Sequence, residues 1–450
     1  LYRPFAAHPQ PALVARAYVA DNPSHILQSG ETSPLLVEVE CVGPAGSSTP
    51  ALTAVAEPET GLAAAAGMVN IPALHAGQMT IVRVPRVTAG NDSSGDLFRL
   101  RLKVQEEGER TRRIVLEGRI GFSRLTWGLS PKGQMFPAPG GERLIAGEPG
   151  FSALIATDTL HTQMIATPKD TVVGTAVFSF DGSHVALGLV DPAKKAEAVA
   201  IVNSQLGSPQ YLAAGSHFIR WLDKDRFLLE DQNRLVSRSV LGGPDRAFEV
   251  PDGWSSTIIP GTEVQILSKP GGKLAVRNGT GPLREVLTGV VLKKSVAVAN
   301  DLTVFGAVDD QQRFWVQRGL DAAPAVVAEG VEQVIWGPIS HLAVVRQANG
   351  KSRVYDGRDN SWLDLGAVSE AQWSPDEQRL LFVQPASGGE PGTLRLLAGR
   401  QVRTLYDLKK IGPVAHIAFA SHDRVFLQAA PTGEAGVWMM ALPPRPAEAN

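Results

Sequence analysis

Trp373-Ser374-Pro375-Asp376-Glu377-Gln378-Arg379-Leu380-Leu381-Phe382 sets an aromatic residue, a polar turn and an apolar strand in a fixed order. Phe178-Ser179-Phe180-Asp181-Gly182-Ser183-His184-Val185-Ala186-Leu187 repeats that order in register. Looser copies start at Phe136, Trp221, Ile259, Val298, Trp336 and Phe419, each about forty residues from the last. A constant period of this length marks stacked units, because one unit cannot bury its apolar face without a neighbour. Each period has room for four short strands. In the second they are expected at 174–178, 184–189, 197–203 and 209–213, separated by turns. Several strands in each such period predict the blades of a β-propeller over residues 121–442.

The last unit is one strand short: 414–419, 424–428 and 437–442 lead straight into the proline-rich tail 443–450. A spare candidate, Phe122-Ser123-Arg124-Leu125-Thr126-Trp127-Gly128-Leu129, stands ahead of the first copy. An early strand that pairs with the final unit removes an exposed sheet edge. The expectation is therefore an eight-bladed ring closed by 122–129. Seven blades is the alternative, should 130–168 form something else.

Residues 1–120 lack the period, and their strands alternate strictly. Val37, Val39 and Cys41 share one face against Glu38 and Glu40, while Phe98, Leu100, Leu102 and Val104 oppose Arg99, Arg101 and Lys103. Further strands are expected at 13–20, 51–57, 77–87 and 111–118, with Gly/Pro/Ser/Asn turns between them. Short antiparallel strands packed this densely predict an N-terminal immunoglobulin-like β-sandwich, so the fold class is all-β. Cys41 belongs to the inward set and reads as a buried, inert thiol.

The segments Trp373-Ser374-Pro375-Asp376 and Phe178-Ser179-Phe180-Asp181-Gly182 resemble the WD-like repeat of the periplasmic Tol-system propeller family. That pattern is aromatic, Ser, Pro, Asp, Gly and then a short apolar strand. Glu377 stands where the pattern has Gly, Phe180 where it has Pro, and Trp336-Gly337-Pro338 lacks the Asp. The resemblance implies a propeller that packs like that family, and it covers the propeller part only. The α/β domain preceding the Tol propeller has no counterpart in residues 1–120, so the Tol function is not carried over. Motif aromatics and aspartates read as scaffold: the ring packs between units and the acid shapes a tight turn.

Composition narrows the function. Of 450 residues, 44% are hydrophobic and 20% charged, which is a globular balance. A net charge of −2 provides no electrostatic footprint for nucleic acid. The apolar runs 62–69 and 437–442 are too short to be transmembrane helices. With one cysteine, neither an intrachain disulfide nor a Cys-x-x-Cys-His haem site can form. The start at Leu1 is read as a mature end after removal of an export signal, and a disulfide-free exported chain suits a bacterial periplasm, cell surface or secreted location.

Gly150-Phe151-Ser152-Ala153-Leu154 lacks the second glycine of a nucleophile elbow. The nine histidines are scattered without a His-Glu-x-x-His pair, and His184, His341 and His422 fall at turn-to-strand positions of different units. No cofactor and no metal is expected. One surface feature is a basic patch of Arg99, Arg101, Lys103, Arg110, Arg112 and Arg113, a candidate docking site for an acidic partner, with Glu106, Glu107 and Glu109 in the turn between to offset it. The functional expectation is a non-catalytic cell-envelope scaffold or accessory subunit that binds protein partners, with the loops 191–197 and 385–393 as candidate contacts. Two alternatives stand beside it: a carbohydrate-binding or adhesion protein, and a glycan lyase or hydrolase using funnel carboxylates.

Overall fold

The computed structural model describes residues 12–19, 26–64, 67–91, 95–105, 111–125, 134–148, 151–157, 161–168, 171–191, 196–213, 216–231, 234–259, 261–269, 272–389, 392–421, 423–429 and 436–442. The tail 443–450 lies outside them. The described chain is all-β apart from two single-turn helical segments, Pro139–Gly141 and Leu408–Ile411. No helix among the described residues is long and apolar enough to cross a membrane.

Two four-stranded antiparallel arrays face each other at the N-terminal end. One has the order Ala12–Val19, Thr32–Val42, Met79–Ala89, Leu62–Ala64; the other runs Thr111–Arg119, Leu97–Gln105, Leu52–Thr60, Gly67–Ile71. Strand alternation sends Val37, Val39 and Cys41 from the first and Ala54, Leu100 and Leu102 from the second into one fully buried cluster. One detail departs from the sequence expectation. The chain crosses between the two arrays at Gly61, where φ is 72° and an added Cβ would lie 2.7 Å from the Leu97 carbonyl oxygen, so only glycine fits. Leu62–Ala64 then pairs with Met79–Ala89, and Gly67–Ile71 turns back onto Leu52–Thr60. The apolar run 62–69 is this crossing.

Seven four-stranded antiparallel meanders follow in chain order. Their first strands are Gln134–Pro137, Val172–Phe178, His217–Trp221, Ser255–Ile258, Leu292–Val298, Val331–Trp336 and Glu370–Trp373. A further meander, Val414–Phe419, Arg424–Ala429 and Gly436–Ala441, has three strands of its own. First strands of several neighbouring sheets touch, as Leu292–Val298 does Val331–Trp336, and Val414–Phe419 touches Gln134–Pro137, joining the last sheet to the first. This is a β-propeller. Segment 130–168, the uncertain stretch of the blade count, contains the four-stranded meander that begins at Gln134.

The fourth place beside Gly436–Ala441 is taken by Phe122–Arg124, with Phe122 opposite Met440 and Arg124 opposite Trp438. The Leu125 amide adds a bond to the Val437 carbonyl at 2.9 Å, and 126–129 lie outside the described residues. Phe122 also pairs with Arg119 at the end of Thr111–Arg119, so one eight-stranded sheet runs from the propeller into the sandwich. Side chains reinforce this joint. Buried Arg119 donates to the Gly95 carbonyl at 3.0 Å and the Lys410 carbonyl at 2.7 Å, and Lys410 Nζ meets Asp96 at 2.9 Å. The Phe122 ring lies 4.7 Å from that of Tyr406, whose phenol is pushed up to about 12 by burial. The helical turn Leu408–Ile411 that carries Lys410 was not anticipated by the strand pattern. Asp407 caps it by accepting from the Lys409 amide, and Gly412 at φ 72° ends it.

Candidate functional site

The site grows out of the repeated turn. In its two clearest copies the second residue, Ser179 or Ser374, is wholly buried. Ser374 Oγ donates to Asp376 at 2.6 Å and accepts the Arg379 amide at 3.0 Å; Ser179 does the same with Asp181 and the His184 amide, at 2.9 and 3.0 Å. Burial pushes the Asp181 carboxyl up, but hydrogen bonds from Ser183 and Ser179 outweigh it and hold the acid below its usual range. The aromatic at the first position reaches back to the preceding sheet. Trp221 Nε1 donates to the Val177 carbonyl at 2.8 Å, and Trp373 Nε1 to the Ile335 carbonyl at 3.2 Å. Trp336 lies on Gly306 of the preceding sheet, where a Cβ would overlap the indole. These three tryptophans are joints between sheets.

The fifth position needs a positive φ wherever the turn keeps this shape: Gly182, Leu302, Ser340 and Glu377 have φ of 70°, 60°, 67° and 56°. Glycine is the unstrained choice, and Glu377 departs from it for a visible reason. Its buried carboxylate crosses to the preceding sheet and accepts the amides of Ile339 and Ser340 at 2.6 Å each and that of His341 at 3.3 Å. Gly337 makes room, since a Cβ there would overlap the carboxylate.

The third position faces elsewhere. Phe180, Asp223, Gly261, Asn300, Pro338 and Pro375, from six consecutive sheets, all line one cavity of about 1130 Å³. First strands wall it through Arg220, Thr257 and Val296, and it reaches Lys269 and Lys273 at the second hairpin of their sheet. First and second hairpins sit at opposite ends of antiparallel strands, so the cavity follows the ring axis from one face towards the other. Phe180 and Val296 are 53% and 42% exposed. Burial pushes the Arg220 guanidinium down from its usual value, and Arg220 donates to the Ile258 carbonyl at 3.1 Å. Sequence reading missed this role of the third position, although Phe180 in place of the pattern's proline was its visible trace.

Other candidates separate. Arg99, Arg101 and Lys103 share one strand face, but Lys103 is paired with Glu57 at 2.6 Å. In the ladder Arg113 is opposite Lys103 and Arg112 opposite Val104; Arg110 lies outside the described residues. The loops 191–197 and 385–393 are both second-hairpin turns, with 192–195 and 390–391 outside the described residues. His341 and Asp301, from neighbouring sheets, meet at 3.1 Å beside Thr303. This is not a nucleophile triad: the threonine hydroxyl donates to Asp301, and both contact the same ring nitrogen of His341. Burial pushes the Glu370 carboxyl up, and the nearby His416 and Arg346 pull it back in part. Among the described residues no group of three or more His, Cys, Asp or Glu gathers as a metal site would.

Comparison adds likenesses of fold. No protein-family model matches the chain, and no curated protein sequence matches it. Among solved structures it is similar to the C-terminal WD40 domain of Sif2, at 12% identity over 72% of this chain and 99% of that one, with a TM-score of 0.47. It is also similar to the β-propeller domain of Cps50 (Swd1) from Myceliophteria thermophila, at 12% identity, 70% and 99% coverage and a TM-score of 0.39. A third is dihydro-heme d1 dehydrogenase NirN, at 13% identity, 70% and 71% coverage and a TM-score of 0.43.

Proposed function

We propose that this chain is a non-catalytic binding scaffold whose propeller offers its axial cavity to a protein partner. The observation that carries the reading is the convergence of one repeat position from six sheets on that cavity, with Phe180 left half exposed among its lining residues. In this reading the ring has eight blades, seven complete and one completed by Phe122–Arg124. The N-terminal arrays are read as immunoglobulin-like, supported by two facing antiparallel sheets around one core. An envelope location, in the periplasm, at the cell surface or secreted, belongs to the same proposal and rests on a composition whose one cysteine allows no intrachain disulfide; fractionation of the source cells checks it. Among the described residues the exposed large aromatics, Phe180 and Tyr211, lie on an inner turn and an outer strand of one sheet rather than on a shared platform, which favours protein over glycan. Affinity isolation from the source cells tests the reading. A stoichiometric protein retained by the parent chain and lost from a folded Phe180→Asp chain is expected; a lone monomer from both defeats it.

Glu370 supports a second reading, acid–base cleavage of a glycan, because its carboxyl is raised and His416 is beside it. Polysaccharide cleavage abolished by Glu370→Gln is the result that reading requires.

A further inference from the structure

We infer that the axial cavity takes an acidic, apolar-rich peptide segment of its partner. The inference rests on the binding reading above and adds the chemistry of what binds. Among the cavity's lining residues, Arg220, Lys224, Lys269 and Lys273 face a single acid, Asp223. That acid is already engaged, at 2.7 Å from Arg226, and its carboxyl sits below its usual range because hydrogen bonds and the charge of Arg226 outweigh its burial. Two of the cations have partners of their own: Lys273 meets Glu285 at 3.3 Å and Lys224 meets Asp225 at 3.8 Å. Both are exposed pairs that compete weakly with an incoming carboxylate. Lys269 has no ion-pair partner among the described residues. The cations are spread along the axis, with Lys224 at the first-hairpin end, Arg220 on the wall and Lys269 and Lys273 at the second-hairpin end.

Beside Lys224 at the first-hairpin end the lining is largely apolar, with Phe180, Leu222, Pro338 and Ile339, and Val296 continues that surface along the wall. A volume of about 1130 Å³ lies above the roughly 300–1,000 Å³ of small-molecule pockets and suits a length of chain. Cations alone would accept any polyanion. Cations set beside an apolar surface select a ligand that carries both carboxylates and aliphatic side chains, as a peptide of acidic and aliphatic residues does. A sugar acid polymer presents hydroxyls to that wall and leaves it unburied.

The probe is a fluorescein-labelled (Glu-Leu)5 peptide, read by fluorescence anisotropy on the full chain, with (Lys-Leu)5 and polygalacturonate as comparators. Lys224→Glu with Lys269→Glu leaves two cations against three acids in the lining, and both positions are exposed enough for the fold to tolerate the change. The expected result is binding of (Glu-Leu)5 that weakens at least about tenfold in the double variant and again at high salt, where surface charge is screened. Circular dichroism confirms that the variant is folded. Absent (Glu-Leu)5 binding, equal binding of (Lys-Leu)5, or affinity unchanged by the double variant each overturns the inference. Polygalacturonate binding without peptide binding overturns it too and reassigns the cavity to an acidic glycan. A cellular partner lost from Phe180→Asp but kept by the double variant sinks the acidic segment and leaves the scaffold reading standing.

Discussion

Glu377 offers the sharpest test of how the repeats are held together. Its carboxylate makes two short bonds, 2.6 Å each, to the Ile339 and Ser340 amides, and one long contact at 3.3 Å to His341. A hydrogen bond to a charged group contributes roughly 1.5–3 kcal/mol, so the two good bonds give about 3–6 kcal/mol gross. The receiving turn is half-buried, so water can reach its freed amides and the net loss in Glu377→Ala falls to about 3 kcal/mol. Backbone strain separates the variants further. At φ 56° a side-chain-bearing residue costs about 1 kcal/mol that glycine does not, so Glu377→Gly recovers that amount. Glu377→Gln keeps an acceptor oxygen but no charge. The expected order of stability is parent, Gln, Gly, Ala. With a urea m-value of about 3 kcal/mol/M, Glu377→Ala moves the unfolding midpoint by about 1 M. A Glu377→Gly chain as stable as the parent, or an Ala variant above Gly, refutes the assignment of this carboxylate as a tie between sheets.

Three further outcomes follow from the same joints. Gly306→Ala drives a methyl into the Trp336 indole, so a loss of about 1–3 kcal/mol is expected, with Trp336→Leu restoring part of it; additive losses in the double variant would show that the two do not meet. Tyr406 has its pKa raised from an ordinary 10.0 to about 12, so the folded chain holds this proton more tightly than the unfolded one. Its contribution is complete below about pH 10 and is lost as pH rises towards 12, a span of about 2–3 kcal/mol that Tyr406→Phe should abolish in a titration of stability against pH. Arg119→Ala frees the Gly95 and Lys410 carbonyls, and a loss of about 3 kcal/mol with sandwich and propeller melting separately is expected in calorimetry; one unsplit transition argues against the clamp.

What the sequence revealed depended on how local the cause was. Phe178, Trp221, Val298, Trp336, Trp373 and Phe419 all end first strands, because aromatic, turn and apolar run act within a few neighbouring residues. Inward alternation of Val37, Val39 and Cys41 was legible for the same reason. Features that depend on a partner from another sheet were not. Glu377 looked like a lapse from the motif, and only the Ile339–His341 turn, from the preceding sheet, explains it. The basic face of Arg99, Arg101 and Lys103 was readable, but its partner Glu57 comes from a strand far away in sequence. Likewise the third repeat position could be read as a turn residue; that six such residues meet at one cavity is a property of the closed ring.

Phe122–Arg124 changes how the two halves should be regarded. A strand that only filled the last sheet could be followed by any linker, and the sandwich would then turn freely, as domains joined by small polar contacts do by default. Here the same short strand is bonded on one side to Gly436–Ala441 and on the other to the end of Thr111–Arg119. Rotation of the sandwich would break the ladder, strip Arg119 of the Lys410 carbonyl and part Phe122 from Tyr406. The sandwich therefore stands at a fixed angle to the cavity. A partner that touches both surfaces meets them already aligned, so its second contact costs little ordering entropy and behaves as an intramolecular step. Partners too short to span the two gain nothing from this arrangement. Under the binding function proposed above, such an arrangement would select partners by reach as well as by the chemistry of the cavity.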